Sequence, residues 1–322
     1  DHILRNTDHD IVNLDKLTYA ANQWKIKEFQ ANPRYHFTKV DLCNASHVNA
    51  ALADHKPQVI MHLAAESHVD RSISGPAAFI QSNIIGTYNI LEAARSYYEE
   101  LSGDTKQVFR FHHVSTDEVY GALGPSGLFT EETAYDPRSP YSASKASADH
   151  LVRAWWHTYG MPFVLTNCSN NYGPYQYPEK FIPVVLKHAL KGEKIPVYGA
   201  GENIRDWLFV MDHAEALVQV LENGVTGESY NIGGETELRN IDLANMICDH
   251  LDEIYPKSPK RPHRDLIEFV EDRAGHDFRY AIDCTKIKQE LGWRPKTPFD
   301  KGLRQTIEWY LEHDDYLFQK VG

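Results

Sequence analysis

The sequence predicts an α/β protein, a doubly wound parallel sheet followed by a smaller C-terminal α/β domain. Short apolar runs alternate with helical stretches, as in a parallel sheet covered by helices on both faces. Polar and acidic residues follow these runs, where the carboxyl ends of parallel strands bind ligands. After Asn170 the pattern changes to a loop rich in Asn, Tyr and Pro. We therefore expect one domain over residues 1–169 and a second over 170–322, part of which returns to the first.

The elements follow in chain order. Strands are predicted at residues 11–14, 35–42, 59–65, 108–115 and 163–168, and helices at 46–55, 76–100 and 142–159. The second domain is expected to contain a helix ending at Lys191, a turn-rich stretch to Asp206, a strand at 228–233 and a helix at 241–255. Gly160 stands where a glycine commonly ends a helix in the left-handed conformation.

A dinucleotide-binding sheet normally opens with a strand and a glycine-rich turn whose amides hold a pyrophosphate. Here no glycine precedes Gly75, and the first residues resemble the end of the helix that should follow that turn. Two explanations stay open: about 20 residues precede the printed sequence, or the polypeptide lacks its phosphate loop. Because the downstream pattern is intact, we expect the first.

Composition excludes several classes of function. The 322 residues carry a net charge of −12, and no basic stripe is present, so a nucleic-acid partner is not expected. Four widely spaced cysteines indicate a reducing cytoplasm and neither disulfides nor a zinc site. The 17 histidines are scattered, so we expect no metal. No long apolar segment or signal peptide is visible, and no membrane association is expected.

The most informative segment joins Ser-Thr-Asp-Glu-Val-Tyr (115–120) to Tyr-Ser-Ala-Ser-Lys (141–145). Tyr-x-x-x-Lys also occurs at Tyr35–Lys39, in a strand-like run, and at Tyr316–Lys320, near the end of the sequence. Only Tyr141–Lys145 lies on a predicted helix, where positions i and i+4 share a face. Such a pair suits alcohol oxidation or ketone reduction on a nicotinamide. The adjacent carboxyl groups upstream, Asp117 and Glu118, add an acid and a base, which indicates that the reaction also includes an elimination.

Several ordered segments resemble the extended short-chain dehydrogenase/reductases, and within them the dTDP-glucose 4,6-dehydratase family, over essentially the whole chain. The matching segments are Asp-Lys-Leu-Thr-Tyr-Ala (15–20), His-Leu-Ala-Ala-Glu-Ser-His-Val-Asp-Arg-Ser (62–72), Ser-Thr-Asp-Glu-Val-Tyr-Gly (115–121), Tyr-Ser-Ala-Ser-Lys (141–145), Asn-Cys-Ser-Asn-Asn-Tyr-Gly-Pro (167–174), Arg-Asp-Trp (205–207) and Asp-Arg-Ala-Gly-His-Asp (272–277). The departures are the missing glycine-rich turn and Ala274, where the family usually has Pro. The resemblance implies a Rossmann-type fold, NAD as cofactor and a homodimer.

The resemblance also implies an activity, the conversion of dTDP-glucose to dTDP-4-keto-6-deoxyglucose with recycled NAD. Tyr141 would be the base for the sugar 4-OH, its phenolate stabilised by Lys145 and the nicotinamide charge. Thr116 would donate to the developing C4 carbonyl. Glu118 would remove the C5 proton while protonated Asp117 gives a proton to the departing 6-OH.

Asp15 begins the predicted cofactor site, since an acid at a strand tip can accept hydrogen bonds from a ribose 2′-OH and so favours NAD over NADP. The adjacent Lys16 would instead favour a phosphate. The cofactor set implied by the resemblance is Asp15, Lys16, Leu17, Thr18, Asp41, Leu42, Leu63, Ala64, Ala65, Ser67, Ser82, Tyr141, Lys145 and Asn171.

The resemblance also supplies a substrate set. It comprises Ser67, Thr116, Asn170, Lys180, Phe181, Pro196, Val197, Tyr198, Arg205, Asn240, Arg273 and His276. Two arginines from separate loops, Arg205 and Arg273, suit a diphosphate, and Tyr198 can stack on a pyrimidine. The homodimer is expected to use the helices at 76–100 and 141–159. Trp155-Trp156 would add apolar area there, unless both pack internally.

Two rival functions stay open. An epimerase or decarboxylase of the same superfamily would share the fold, the NAD and the Tyr/Lys pair, but it would not need Asp117 beside Glu118. The other rival is a non-catalytic NAD-binding sensor or scaffold, and it is an alternative only if the glycine-rich turn is truly absent.

Overall fold

Short strands alternate with helices in the computed structural model of the chain, which describes residues 1–258 and 260–319. The strands are β1 Ile11–Asp15, β2 Tyr35–Lys39, β3 Val59–His62, β4 Arg110–Thr116, β5 Phe163–Cys168, β6 Asn170–Tyr172, β7 Ile195–Tyr198, β8 Ile204–Phe209, β9 Ser229–Ile232, β10 Glu237–Arg239 and β11 Ile267–Val270.

The helices cover these strands. They are α1 His2–Asn6, α2 Gln23–Phe29, α3 Ala45–His55, α4 Val69–Ser74, α5 Pro76–Phe79, α6 Gly86–Glu100, α7 Gly103–Val108, α8 Pro140–Tyr159, α9 Phe181–Lys191, α10 Val210–Asn223, α11 Asn240–Ile254, α12 Thr285–Leu291, α13 Phe299–Glu312 and α14 Asp314–Leu317. A π-helical stretch, Ile80–Ile85, joins α5 to α6, and 3₁₀ turns form at Asp117–Tyr120 and His263–Leu266.

The central sheet is parallel and has the order β3-β4-β5-β9. Its last strand, β9, comes from the second half of the chain. A separate parallel pair, β1-β2, carries the N-terminal part. Two small sheets, β10-β8-β6 and β11-β7, belong to later parts of the chain. The predicted parallel α/β architecture is confirmed, whereas the domain boundary at residues 169/170 stays a prediction.

Strand β5 shows why the central strands are continuously apolar. Phe163 and Leu165 face a core built with α3, α6 and α8. Val164, between them, faces the opposite core, to which α10 contributes Ala216 and Val220. Because successive side chains point to opposite faces, a strand covered on both faces must be apolar at every position.

Helix α8 begins and ends on specific local signals. The Ser139 hydroxyl accepts a hydrogen bond from the Ser142 N–H (3.0 Å), while the Ser142 hydroxyl accepts one from the Ser139 N–H (2.9 Å). Pro140 occupies the first turn, where its missing N–H costs nothing. Gly160 ends the helix with φ +66°, as its position predicted. The helix therefore starts two residues before the predicted boundary and includes Tyr141.

Other predicted elements differ from the structure. The helix expected at 76–100 is interrupted by the π-helical stretch, and the strands expected at 35–42 and 59–65 are shorter. The supposedly turn-rich stretch before Asp206 contains β7 and the start of β8. These strands close a third core with α9, α11 and α13. The third Tyr-x-x-x-Lys match ends at Lys320, outside the described residues.

The described residues offer neither a metal site nor a membrane-spanning helix. Within 1–258 and 260–319, no group of His, Cys, Asp and Glu side chains is arranged to hold a metal ion. No helix in those ranges has the length and apolar character needed to cross a bilayer.

Gly234 lies against the backbone of β8, where no side chain fits. A Cβ at this position would lie 1.8 Å from the Trp207 carbonyl oxygen. We expect Gly234→Ala to lower the free energy of unfolding by about 1–3 kcal/mol or more, because the backbone has to move. Urea denaturation measures this loss. Gly124→Ala is the matched control, because nothing lies within 4 Å of its Cβ. Equal stability of the two variants would contradict the assigned packing.

Candidate active site

The end of β4 places two neighbouring carboxyl groups in the interior. The Thr116 hydroxyl accepts a hydrogen bond from the Glu118 N–H (3.3 Å) and so caps the 3₁₀ turn that begins at Asp117. The chain leaves the turn at Gly121, where φ is +91° and a Cβ would lie 2.6 Å from the Asp136 carbonyl oxygen. Only glycine suits both the backbone conformation and the space at position 121. Gly121 therefore lets the chain turn so that both carboxyl groups lie at this edge of the sheet.

Asp117 is the more deeply buried of the two carboxyl groups, with 2% of the residue exposed. Its Oδ1 accepts a hydrogen bond from the Thr116 hydroxyl (3.3 Å), while Oδ2 has no partner among the described residues. Burial, followed by the charges of Glu118 and Asp206, raises the pKa of Asp117 well above its ordinary value. The structure therefore favours the protonated form of Asp117.

Glu118 has cationic neighbours. Burial raises its pKa, but Arg273, Arg205 and Lys180 act in the opposite direction. These three cations favour the ionised form of Glu118. The pKa of Glu118 is raised overall, because the cations offset only part of the effect of burial, whereas the pKa of Asp117 is raised well above its ordinary value. The two adjacent carboxyl groups thus lie in different electrostatic environments, and Asp117 is the one that more strongly favours its protonated form.

Tyr141 lies in the first turn of α8, close to this pair. Burial, and then the charges of Glu118 and Cys168, raises the pKa of Tyr141 well above its ordinary value, while a hydrogen bond with Thr116 lowers it. Lys145 does not offset the burial. Its ammonium donates to the Val114 carbonyl oxygen of β4 (2.9 Å). The predicted phenolate is therefore not favoured by the protein groups by themselves.

The predicted cofactor residues of the N-terminal part share one cleft, which has a volume of about 220 Å³ and is open to solvent. Those that line it are Asp15, Lys16, Thr18, Asp41, Leu42, Leu63, Ala64, Ala65 and Ser82. The Asp15 carboxylate accepts a hydrogen bond from the Leu17 N–H (2.6 Å). The Lys16 ammonium donates to the Ser82 hydroxyl (3.0 Å). The cleft therefore presents an acid at the end of β1 opposite small and apolar residues that follow β3.

The other predicted cofactor residues lie outside the lining of this cleft. Leu17 has φ +58°, a left-handed conformation. The Ser67 carbonyl oxygen accepts a hydrogen bond from the Lys180 ammonium (2.8 Å). The Asn171 amide donates to the Cys168 sulfur (3.4 Å), and its oxygen is bonded to His213 (2.8 Å). Ser67, Asn171 and the Tyr141/Lys145 pair are therefore not part of the cleft's lining.

A cluster of polar side chains faces Glu118 from distant segments. One Arg273 nitrogen donates to Asp70 (3.1 Å), and Arg273 Nε is buried without a partner among the described residues. The Tyr198 hydroxyl also donates to Asp70 (3.2 Å), and its ring meets His276 edge-on at 6.1 Å. This cluster joins α4 to β7 and to the loop after β11, and it includes an arginine with donor capacity left over.

Arg205 corrects one expectation, since it lies within β8 and not on a loop. It is only 5% exposed. Its guanidinium donates to the carbonyl oxygens of Ile204 (2.7 Å) and Asp277 (2.9 Å), and it lies over the Tyr280 ring at 4.3 Å. These contacts fix the positive charge that acts on Glu118.

The remaining predicted substrate residues are dispersed along this region. Asn170 has a buried side-chain oxygen without a partner in the described chain. Phe181 packs against the third core, and Val197 is fully buried, so its side chain is not available to a ligand. Pro196 precedes it in β7. The Asn240 N–H starts α11 by donating to the Asn203 carbonyl oxygen (3.0 Å).

Sequence reasoning missed Asp70 and Asp206. Asp70 lies inside the matching segment 62–72 but has no spacing pattern of its own. Asp206 is buried and accepts hydrogen bonds from the N–H groups of Gly234 (3.0 Å) and Thr236 (2.8 Å). It lies in the matching Arg-Asp-Trp segment, which gave the only signal for it.

Comparisons with known proteins place the chain in a family. The family model described as GDP-mannose 4,6 dehydratase matches residues 2–306. A dTDP-glucose 4,6-dehydratase of Shigella flexneri is 55% identical over 98% of this chain and 90% of its own length. A protein of the same name from Neisseria meningitidis serogroup B is 56% identical over 97% and 89%.

A solved structure extends the likeness to three dimensions. DesIV, a dTDP-glucose 4,6-dehydratase of Streptomyces venezuelae crystallised with NAD, is 39% identical, with a TM-score of 0.89 over 100% of this chain and 94% of its own. The chain therefore belongs to the GDP-mannose 4,6 dehydratase family and, within it, to the dTDP-glucose 4,6-dehydratases.

Proposed function

We propose that this protein is a lyase that converts dTDP-glucose to dTDP-4-keto-6-deoxyglucose by C4 oxidation, elimination of water across C5 and C6, and reduction at C6. The observation that carries the proposal is the pair of adjacent carboxyl groups, Asp117 and Glu118, which differ in electrostatic environment beside Tyr141. An epimerase or decarboxylase needs the Tyr/Lys pair but not this acid/base pair. The similarity to dehydratases also favours the lyase.

NAD fits the cleft at the ends of β1 and β3. The Asp15 carboxylate suits a ribose hydroxyl, and the small side chains Ala64 and Ala65 leave space for a flat ring system. When bound there, NAD would supply the hydride chemistry, as the acceptor for the C4 hydride and its donor to C6. Its positive charge, with the ammonium of Lys145, would favour the Tyr141 phenolate that burial disfavours.

The chain's own residues would then act in order. Tyr141 removes the proton of the 4-OH while Thr116 donates to the C4 oxygen. The C4 ketone makes the C5 proton acidic, and Glu118 removes it. Asp117 gives its proton to the departing 6-OH.

Residues 170–322 would mainly bind the nucleotide sugar. Arg273, with an unpartnered Nε, is suited to the diphosphate, and Tyr198 to the pyrimidine. Arg205 would contribute fixed positive charge. We place the activity in the cytoplasm, which the four free cysteine thiols support.

Tyr141→Phe should lower turnover of dTDP-glucose by about 10²–10⁴-fold, because C4 oxidation needs a positioned base. NAD and nucleotide-sugar binding should stay within a few-fold. Product formation is followed by the alkali-induced absorbance of the 4-keto-6-deoxy sugar. Tyr159→Phe, on the exposed end of the same helix, is the control and should keep full activity. A Tyr141→Phe enzyme with a third of wild-type activity would refute the assignment.

Asp117 and Glu118 should not be interchangeable. Glu118→Gln should retain hydride transfer from C4 but lose exchange of the C5 proton with solvent, because an amide is no base. Asp117→Asn should retain C4 oxidation but stall at loss of the 6-OH. A substrate with fluoride at C6 leaves without that proton, so it should largely rescue Asp117→Asn and do little for Glu118→Gln. Equal rescue of both variants, or of neither, argues against this division.

We also propose a homodimer through α8 and the helical segment 76–100. Trp155 and Trp156 are both partly buried against their own chain's core, which favours the alternative that they pack internally. The Trp155 indole N–H donates to Glu92 (3.0 Å). Exposed apolar area instead comes from Ile80 (43%) and Tyr88 (44%) on the same segment.

Light scattering at micromolar concentration should therefore give the mass of a dimer. Ile80→Asp with Tyr88→Asp should give a monomer, since a buried unpaired carboxylate opposes association. Leu128→Asp is the control, at an exposed apolar residue on a different surface. A monomeric wild-type protein would count decisively against the homodimer.

A further inference from the structure

Asp149 is a fully buried carboxylate that the proposed reaction does not use. It lies on α8, one turn after Lys145, with 0% exposed. Its oxygens accept hydrogen bonds from the Ser115 hydroxyl (2.8 Å) and the Tyr135 hydroxyl (2.9 Å), and Oδ1 is bonded to His113 Nε2 (3.1 Å). A buried carboxylate is costly unless hydrogen bonds and an opposite charge compensate it.

Ser115, Tyr135 and His113 supply hydrogen bonds to Asp149 without neutralising its negative charge. Burial, and then the Lys145 ammonium, lowers the pKa of His113, so its imidazole is neutral and donates Nε2–H to Asp149. Burial raises the pKa of Asp149, but His113, Lys145 and Ser115 outweigh it and hold the pKa below its ordinary value. Asp149 is therefore ionised.

Lys145 is the complementary case. It is 4% exposed, and its ammonium donates to the Val114 carbonyl oxygen (2.9 Å). Burial lowers its pKa, and the charge of Asp149 is the largest effect in the opposite direction. Positions i and i+4 share one face of a helix, so α8 itself sets the relation between the two groups.

We propose that Asp149 is a positioning residue whose buried carboxylate is the counter-charge of Lys145 and keeps that side chain an ammonium at the active site. This inference rests on the proposed function, in which the ammonium of Lys145 stabilises the Tyr141 phenolate. In this proposal, residues of α8, β4 and the loop that carries Tyr135 form a hydrogen-bonded network that supports Lys145 from behind the site.

Other ionisable groups surround this pair, and Asp149→Asn leaves all of them in place. They are His113 on β4, His62 on β3, Cys168 on β5, Tyr120 on the 3₁₀ turn, Tyr135 on the following loop, and Arg153 and Tyr141 on α8.

The test is the pH dependence of kcat/KM for dTDP-glucose in the NAD-loaded enzyme. Asp149→Asn keeps the shape and removes the charge. Without that charge the Lys145 pKa falls, so the alkaline loss of activity should move to lower pH by about 1–3 units. Tyr135→Phe is the matched control, because it removes one hydrogen bond to Asp149 and leaves the charge. Its alkaline limb should stay within about 0.3 units of wild type.

An Asp149→Asn enzyme with a lower rate but an unmoved alkaline limb would overturn the proposal, because a merely structural role predicts that result. The proposed function is tested separately by whether the wild-type protein makes the 4-keto-6-deoxy sugar at all.

A stability measurement decides the case in which Asp149→Asn does not fold. Removing the Asp149 charge leaves Lys145 buried without its counter-charge, which lowers stability. Removing both groups avoids this loss of stability. Lys145→Met with Asp149→Asn should therefore melt at a higher temperature than Asp149→Asn by circular dichroism. A double variant no more stable than Asp149→Asn, or one that is also unfolded, would overturn the proposal.

Discussion

Burial of ionisable groups at the carboxyl end of β4 is the constraint on which the site depends. The same exclusion of water raises the pKa of Asp117 and Tyr141 and lowers that of Lys145. Each group is thereby driven toward its neutral form unless a nearby charge opposes the effect. The buried groups therefore differ in the charges around them: Asp149 opposes the effect of burial at Lys145, and three cations oppose it at Glu118. At Asp117 the negative charges of Glu118 and Asp206 add to the effect of burial more than Arg205 opposes it.

The counter-charges of Glu118 come from distant parts of the chain. Lys180 precedes α9, Arg205 lies in β8 and Arg273 follows β11. Another long-range contact joins the two sides of the cleft: the Arg71 guanidinium lies 3.9 Å over the Tyr19 ring and pairs with Glu179 (3.2 Å). The cations that oppose the effect of burial on Glu118 thus come from the second half of the chain.

Much of the fold could be predicted from local signals. Continuous apolar runs located the central strands, and Gly160 located the end of α8, because these patterns reflect burial on two faces and a left-handed residue. β7 and β8 were missed, since their pairing partners are distant and the stretch between them contains glycines. The packing of Trp155 and Trp156 stayed open in the sequence, because sequence does not say which core a partly buried ring joins.

The site itself was predictable where its residues are neighbours in sequence. Asp117, Glu118, Tyr141 and Lys145 form spaced patterns, whereas Asp149 is a single acid on a helix whose donors lie on other elements. The hydrogen bonds that surround Asp149 form only when the chain folds, so the sequence contained no signal for this residue.

The most direct test of the central claim is an isotope experiment. dTDP-glucose deuterated at C4 is incubated with the protein and NAD in ordinary water, and separately unlabelled dTDP-glucose in deuterium oxide. The account predicts a 4-keto-6-deoxy product with the C4 deuterium at C6 in the first case and a solvent deuterium at C5 in the second. A product that keeps its 6-oxygen, or one without solvent deuterium at C5, would contradict it.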